Sequence, residues 1–408
     1  MRISTNTIFT NNVALLTQQQ SALAQTQQQA ASGVRMLTAS VDPVGFTQAM
    51  NLNQADAINT QQTANRTAAA VPLNLAGSAL QSATLLLQDA RTMAVSAGSN
   101  AITNSDRATM AKTLSGRLQE LVGLANSTDG SGNYLFAGYQ SKTPPFSTSA
   151  SGVVTYNGDT GQQLVQVSAG RQLPVNDNGA DVFMRIKNGN GTFSTQAGAA
   201  NTGSGIINPG SVTNAAALVP GNSYSITFTS PTTYDVTYSN PTAVPPVPAG
   251  TAMVPPMVGQ PYTSGQAIAL PGMQFTLQGA PAAGDTFTAA PSTNQSVFTT
   301  ITNLINTLNT PVAGANLSNG LSSAITNIDN ALNNVLNTQA SQGQRLNELT
   351  ALQTSGDNMS LQIKQTLSTL QDTNYATTLT TLTMQQTVLQ AAQKSFAQVA
   401  NLSMFSYM

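Results

Sequence analysis

The C-terminal part of the chain carries a seven-residue apolar repeat that restricts what it can fold into. Leu382, Leu389 and Phe396 are spaced seven residues apart, and the stretch 345–402 has no proline and only one glycine. This pattern is typical of a helix with a narrow apolar seam, as in a coiled coil. An unbroken helix over this stretch would be on the order of 85 Å long and would need a partner running alongside it.

The same spacing recurs at the other end of the chain. Phe9, Leu16 and Leu23 are also seven residues apart, within a predicted helix over residues 1–32. We therefore expect the two termini to pair, or to pair with their counterparts in a neighbouring copy, through one assembly seam. Its predicted residues are Phe9, Leu16, Leu23, Leu382, Leu389 and Phe396. A single self-contained helical bundle, with no role between molecules, is the alternative.

Further helices are predicted from helix-breaking residues, capping residues and the spacing of apolar residues. A break over 33–42 precedes a helix that starts at Pro43 and extends to about Ala97. Ser105 is the predicted N-cap of the next helix, with Asp106 in its first turn. The remaining predictions are a helix capped by Asn294 and stopped by Pro311 and Gly314, and a final helical run with a joint at Gly343.

The middle of the chain has a different composition. Sixteen of the nineteen prolines lie between 143 and 292, where short alternating runs replace the helical spacing. Residues 157–159 are predicted to form a hairpin turn between the strands at 153–157 and 164–168. The proline-rich stretch 241–261 is predicted to be an edge strand or a loop.

The predicted fold is therefore mainly α with a β insert. The N- and C-terminal segments form a long discontinuous helical coiled coil or bundle, and the middle forms a β-rich domain. The predicted domains are a terminal coiled-coil domain (1–45 with 350–408), a helical bundle (46–142 with 292–349) and a β-rich surface insert (143–291).

Composition excludes several classes of function. Charged residues make up 7% of the chain and the net charge is −1, so we expect no nucleic-acid partner. The absence of cysteine excludes disulfides and thiolate metal sites. No apolar run approaches the roughly 18 residues of a membrane span, and the N-terminus has no signal-like apolar segment, so membrane insertion is not expected. Low charge favours surfaces that pack against copies of the same chain, with a partly disordered chain as the alternative.

Residues for catalysis or ligand binding are not apparent in the sequence. The chain has no histidine or cysteine, and its acidic residues are scattered, so no catalytic, cofactor or metal site is predicted. Residues 177–181 resemble part of a calcium loop but lack the remaining ligands, and 188–191 resembles a phosphate loop but opens no helix. Both are predicted to be turns, and the chain is predicted not to be an enzyme.

Several motifs resemble the flagellin superfamily over residues 1–140 and 292–408. They are the blocks 32–37 and 42–45, the stretch 85–95 around Arg91, and the segment 104–107 that contains Asp106 and Arg107. Val41 stands where the superfamily usually has the first of two acidic residues. The segments 1–5, 134–139, 144–146, 175–176, 179–183, 284–287 and 402–408 are more similar to hook–filament junction subunits than to filament flagellin.

The resemblance implies a structural subunit of the bacterial flagellum, outside the cell and exported through the flagellar type III apparatus. The implied partners are further copies in a ring of about eleven, hook-associated protein 1, flagellin and an export chaperone on the C-terminal helix. Filament flagellin itself and a secreted helical adhesin or effector remain alternatives. A filament flagellin would dominate sheared filaments, and loss of an effector would leave swimming intact. An enzyme within the β insert would need clustered acidic residues there.

Overall fold

The computed structural model describes residues 5–310 and 314–405. The chain divides into two compact units. One consists of Met1–Ala64 with Ala351–Met408, and the other is Asn65–Thr350. Residues 1–4 of the predicted motif at 1–5, residues 406–408 of the motif at 402–408, and the predicted stop at Pro311 lie outside the described residues. The three-part domain division proposed from the sequence stays a prediction.

Six helices carry most of the chain. They are α1 (Thr5–Ser32), α2 (Pro43–Ala97), α3 (Asn104–Ala125), α4 (Val297–Asn309), α5 (Ala315–Gln371) and α6 (Tyr375–Phe405). The predicted break after Ser32, the start at Pro43 and the end at Ala97 are confirmed. Proline suits the first position because its missing N–H has no partner within the helix there and its φ is already helical.

Two predicted helix caps are wrong by a few residues. Thr103, not Ser105, caps α3: its side chain accepts from the backbone N–H of Asp106, whose carboxylate accepts from the N–H of Thr103. Ser296, not Asn294, caps α4, accepting from the N–H of Thr299 at 2.9 Å. In both helices the capping group is a side-chain hydroxyl that accepts a hydrogen bond from the backbone N–H of the residue three positions later.

The joint in the C-terminal run is not at Gly343. Gly343 lies inside α5, and the helix breaks at 372–374 instead. Asn374 starts the next helix, since its Oδ1 accepts from the backbone N–H groups of Ala376 and Thr377 at 3.1 and 3.3 Å. One glycine inside a long helix costs only about 1 kcal/mol, whereas a capped break supplies new hydrogen bonds.

The middle of the chain contains fifteen strands, which are two to 15 residues long and all paired antiparallel. They are β1 (Phe146–Thr148), β2 (Val154–Tyr156), β3 (Leu164–Ser168), β4 (Arg171–Pro174), β5 (Ile186–Lys187), β6 (Phe193–Ala197), β7 (Ile206–Ile207), β8 (Ser211–Val212), β9 (Ser223–Ser230), β10 (Thr233–Asn240), β11 (Val247–Pro261), β12 (Ala267–Leu270), β13 (Met273–Gln278), β14 (Thr286–Pro291) and β15 (Asn294–Gln295). The largest sheet has the order β11-β10-β9-β14-β6, and a second has the order β12-β13-β7 with β8 also on β13.

The predicted hairpin turn at 157–159 is wrong. β2 pairs with β1, and β3 pairs with β4. Asp159 instead fixes the loop, because its carboxylate accepts from the backbone N–H groups of Tyr139, Gln140 and Gly161 at 2.7–3.1 Å. The prediction that the proline-rich stretch 241–261 forms an edge is confirmed, since β11 is the end strand of its sheet.

Two apolar cores lie in the larger unit. The first joins α2–α5 with the start of the insert, where the rings of Phe136, Phe146, Phe183 and Phe298 pack within 6.0 Å of one another along a chain of contacts. The second fills the β region from Phe193 to Ala289. The first part of the insert therefore belongs to the helical core, and only the later part has a core of its own.

One helix has the length and composition of a membrane span, contrary to the expectation from apolar runs. An 18-residue stretch of α2 is apolar enough to cross a membrane, and 44% of it is buried in the protein. Leu73, Leu80 and Leu87 of α2 are at most 1% exposed. The apolar side of this helix thus packs into the protein itself, as in an ordinary core helix.

Candidate functional site: the assembly surfaces

The predicted seam residues of the two termini lie along the contact between α1 and α6. The rings of Phe9 and Phe396 are 5.2 Å apart between centroids. On α6 the half-buried side chains recur at steps of four and three: Thr378, Leu382, Gln385, Leu389, Ala392 and Phe396. On α1 they are Asn12, Leu16, Gln19, Ala22, Leu23, Gln29 and Ala30, and Thr26 among them is buried. This is the spacing of a two-helix coiled coil.

The seam is thin. Among the described side chains of α1 and α6, only Thr26 is fully buried. Gln385 lies in the seam with a buried Oε1 that has no hydrogen-bond partner among the described residues. Other large apolar side chains point away from the seam and are exposed: Val13, Leu15, Leu379, Met384 and Val388. One copy of the chain thus leaves much apolar helix surface uncovered.

The two breaks in the terminal helices contact each other. The N–H of Arg35 donates to the carbonyl of Gln371 at 2.6 Å, and the N–H of Thr373 donates to the carbonyl of Gly33 at 2.9 Å. The guanidinium of Arg35 also donates to the carbonyl of Leu370 at 3.0 Å. The loop after α1 and the loop before α6 are therefore tied by backbone hydrogen bonds into one joint.

The start of α2 explains the motif at 42–45. The carboxylate of Asp42 accepts from the N–H of Gly45 at 2.9 Å and lies 3.5 Å from the guanidinium of Arg35. A Cβ on Gly45 would lie 2.6 Å from that carboxylate and 2.9 Å from the sulfur of Met36, so a larger residue here would require both side chains to shift. Val41 is 39% exposed beside it.

Asp106 and Arg107 of the family motif build the corner between α2 and α3. The hydroxyl and N–H of Thr103 hydrogen-bond to Asp106 and hold the pKa of its carboxyl below the ordinary value. Arg107 is buried and donates to the carbonyl of Ala97 and to Asn104, both at 3.0 Å. Both residues therefore fix the turn between the helices.

Arg91, the third residue of the family motif, lies away from the corner between α2 and α3. Its Nε donates to Asp329 on α5 at 2.6 Å, and both side chains are more than 40% exposed. An exposed ion pair of this kind adds little to stability, because water and salt screen it. The structure therefore does not bring Arg91, Asp106 and Arg107 together into one site. Asp106 and Arg107 fix the corner between α2 and α3, whereas Arg91 connects α2 with α5.

Sequence reasoning missed a stripe of asparagines along α5. It consists of Asn316, Asn319, Asn327, Asn330 and Asn334, spaced in steps of three, four and eight, and we call it the asparagine stripe. Each side-chain amide hydrogen-bonds to the backbone of the insert, with partners between Asp181 and Ile207 at 2.8–3.0 Å. The only sequence signal was the helical spacing of these asparagines.

The segment 177–181, predicted to be a turn, leads instead into a short π-helix (Ala180–Met184) and contains a buried ion pair. Asp177 accepts from Arg345 at 2.6 Å and from Gln342 at 2.8 Å, and the paired side chains are 11% and 13% exposed. Within the described ranges, no three acidic, histidine or cysteine side chains group as metal ligands would. The carboxylate of Asp177 therefore binds the α5 helix.

The sequence and the fold of this chain are similar to those of known flagellar proteins. Residues 3–141 match the model of the bacterial flagellin N-terminal helical region. The chain is 27% identical to flagellar hook-associated protein 3 of Salmonella typhimurium over 99% of both chains. The crystal structure of the flagellar junction protein FlgL from Legionella pneumophila is similar, with 32% identity and a TM-score of 0.70, over 80% of this chain and 100% of that one.

A second solved structure agrees. FlgL of Xanthomonas campestris is 31% identical, with a TM-score of 0.67, over 78% of this chain and 99% of that chain. Likeness of sequence and of fold therefore extends over nearly the whole length of these relatives. The chain belongs to the family of flagellar hook-associated protein 3, the FlgL junction proteins.

Proposed function

We propose that this chain is the structural subunit that joins the flagellar hook to the filament. Its relatives are structural flagellar proteins, and the flagellum is an extracellular appendage. In this proposal the chain forms a ring of about eleven copies between hook-associated protein 1 and the first flagellins, after export as an unfolded chain with a chaperone on its C-terminal helix.

The thin seam between α1 and α6 supports this proposal most directly. A helix pair with one fully buried described side chain, Thr26, does not bury enough apolar surface to be stable alone. Exposed apolar residues on the outer faces, such as Leu379 and Met384, fit contacts with neighbouring copies and partners. The assembly then supplies the burial that one copy lacks.

The test is to delete the gene and follow flagellin. Cells without the junction subunit should still make hooks, but they should release monomeric flagellin into the medium and fail to swim. A plasmid copy should restore filaments. Normal filaments in the deletion strain would refute the proposal, and a chain that dominates sheared wild-type filaments would favour a filament flagellin.

A purified system separates assembly from export. Protein added to hook ends capped with hook-associated protein 1 should bind and then permit flagellin to polymerise. Capped ends without this protein should not start filaments. Equal filament growth with and without the protein would contradict the proposed place of this chain.

A further inference from the structure

The five-stranded sheet ends in two strands, β6 on one side and β11 on the other. Within the described part of the chain, β6 pairs only with β14, and β11 pairs only with β10. Edge strands present unpaired N–H and C=O groups and can add a strand from another chain. The two open edges lie at opposite sides of one sheet.

The register shows which groups of β6 point outward. The N–H of Gly198 donates to the carbonyl of Thr286, and the N–H of Ser292 donates to the carbonyl of Thr192. Backbone groups of even-numbered residues in this strand therefore face β14. Those of Thr195 and Ala197 alternate with them and face away from β14. The chain just after β7 lies beside part of this edge, where the hydroxyl of Thr195 donates to the carbonyl of Asn208 at 2.8 Å.

A cleft of about 350 Å³ lies beside this edge. Its opposite wall is formed by α4 and α5, with Thr310, Ser322, Ser323 and Asn327 among the lining side chains. None of the described residues that line the cleft is charged. Outward-facing backbone groups on one wall and hydroxyl groups on the other match an extended, uncharged polypeptide segment.

The chain itself carries such a segment on the opposite edge of the sheet. Residues 236–284 contain no Asp, Glu, Lys or Arg. On and beside β11, Val244, Val254 and Val258 are 98%, 88% and 63% exposed. An uncharged strand can enter an uncharged cleft without the cost of burying an unpaired charge.

Symmetry favours a second copy as the occupant. A ring needs head-to-tail contacts, so each copy must carry two different, complementary faces. Opposite edges of one sheet meet this requirement. Pro255 and Pro256 lack an N–H, which restricts strand pairing on β11 to the residues on either side and limits unguided pairing of free molecules.

We propose that the β6 edge and its cleft receive the β11 edge of the neighbouring copy, so that adjacent subunits join their sheets around the ring. This inference rests on the proposed function, because the ring brings the two edges together. It adds a contact through the insert to the one through the terminal helices.

Site-directed crosslinking tests the contact, and the cysteine-free chain suits it. The double variant with Gln196→Cys and Val258→Cys is assembled on hook ends capped with hook-associated protein 1 and treated with a short bismaleimide. A ladder of covalent multimers is expected. In the control, Asn337→Cys on an exposed site of α5 replaces Gln196→Cys, and no ladder is expected.

The outcomes separate the two proposals. Protein that binds the hook ends and supports filament growth but gives no ladder would overturn the strand contact alone. Protein that does not bind the capped ends would overturn the proposed function and this contact with it. A ladder with the control pair would show non-specific proximity and would also overturn the contact.

A charge placed in the cleft gives a second test. Ser323→Glu should raise the protein concentration needed for ring assembly by about tenfold, while Asn337→Glu on the exposed side of α5 should not. Adding Val258→Lys to Ser323→Glu should restore part of the loss. Unchanged circular dichroism and thermal midpoints would show that the fold is intact, and equal assembly of Ser323→Glu and Asn337→Glu would overturn the contact.

Discussion

At the residue scale, burial decides which charged contacts matter. Asp177 and Arg345 are nearly buried, and Gln342, 1% exposed, completes the group. Arg171 and Glu348 form an equally short contact at 2.6 Å but remain 55% and 32% exposed. Removing one partner of a buried pair leaves an uncompensated charge, whereas an exposed pair is screened by water.

We therefore expect Arg345→Met to destabilise the free protein strongly. The loss in free energy of unfolding should be about 3–5 kcal/mol, and much smaller for the matched control Arg171→Met, whose exposed ion pair is screened by water. Urea unfolding of the two purified variants measures both values. Similar losses in the two variants would show that the burial of Asp177 does not govern the contact.

The pH dependence of stability should reflect Asp159. Its hydrogen bonds from the N–H groups of Tyr139, Gly161 and Gln140 lower the pKa of its carboxyl. A group with a lowered folded pKa stabilises the protein above its ordinary pKa of about 4, and this contribution is lost as pH falls through the lowered value. Unfolding monitored below pH 4 should show a smaller loss of stability for Asp159→Asn than for the wild type. An identical pH profile would contradict this role.

At the element scale, the insert is only partly independent of the helices. Phe146 and Phe183 belong to the helical core, while the region from Phe193 to Ala289 has its own core. The asparagine stripe of α5 then fixes the insert backbone along the helix. Excision of all of 143–291 would therefore remove part of the helical core as well as the insert.

A narrower excision should leave a folded protein. Thr192 and Ser292 face each other at the end of a strand pair, with a hydrogen bond of 3.0 Å between them. Replacing 193–291 with Asn-Gly should close this point as a tight hairpin. We expect secretion and hook-end binding to persist, as measured by export assays and pull-down with capped hooks. Excision of 145–290 is the comparison and should lower the thermal midpoint further, and equal midpoints would contradict the division into two cores.

At the scale of the whole molecule, the terminal helices should gain their order from assembly. With one fully buried described side chain in α1 and α6, the pair is marginal in a free copy. Hydrogen exchange on dilute protein should show little protection over 5–40 and 355–405, and strong protection over α3 and α4. Strong protection at both ends of the monomer would favour the self-contained bundle.

Leu389→Asp should separate assembly from monomer stability. Leu389 is only half-buried in one copy, so the thermal midpoint of the monomer should hardly move. In the ring, burial of a leucine contributes roughly 1.5–3 kcal/mol, and an unpaired charge adds a further cost at every subunit. Polymerisation on capped hook ends should be lost. The control is Gln390→Asp, a substitution at an exposed position of the same helix. A Leu389→Asp monomer that melts well below the wild type would place the seam in an internal core.

The sequence by itself determined the local structure of this chain. Seven-residue spacing of Leu382, Leu389 and Phe396 indicated the terminal helix, and alternation over 164–168 indicated a strand, because periodicity is a property of neighbouring residues. Pro43 marked the start of α2 for a similarly local reason.

Only the tertiary structure decided which elements and side chains meet. The joint formed at 372–374 because the loop at 33–35 lies there to accept and donate hydrogen bonds. Asp159 accepts hydrogen bonds from backbone N–H groups such as that of Tyr139 and does not form a hairpin turn. The asparagines of α5 donate to backbone carbonyls more than a hundred residues away in the sequence. A donor or acceptor can hydrogen-bond to any suitable group that folding brings near it. The spacing of residues along the sequence therefore does not predict which partner it binds.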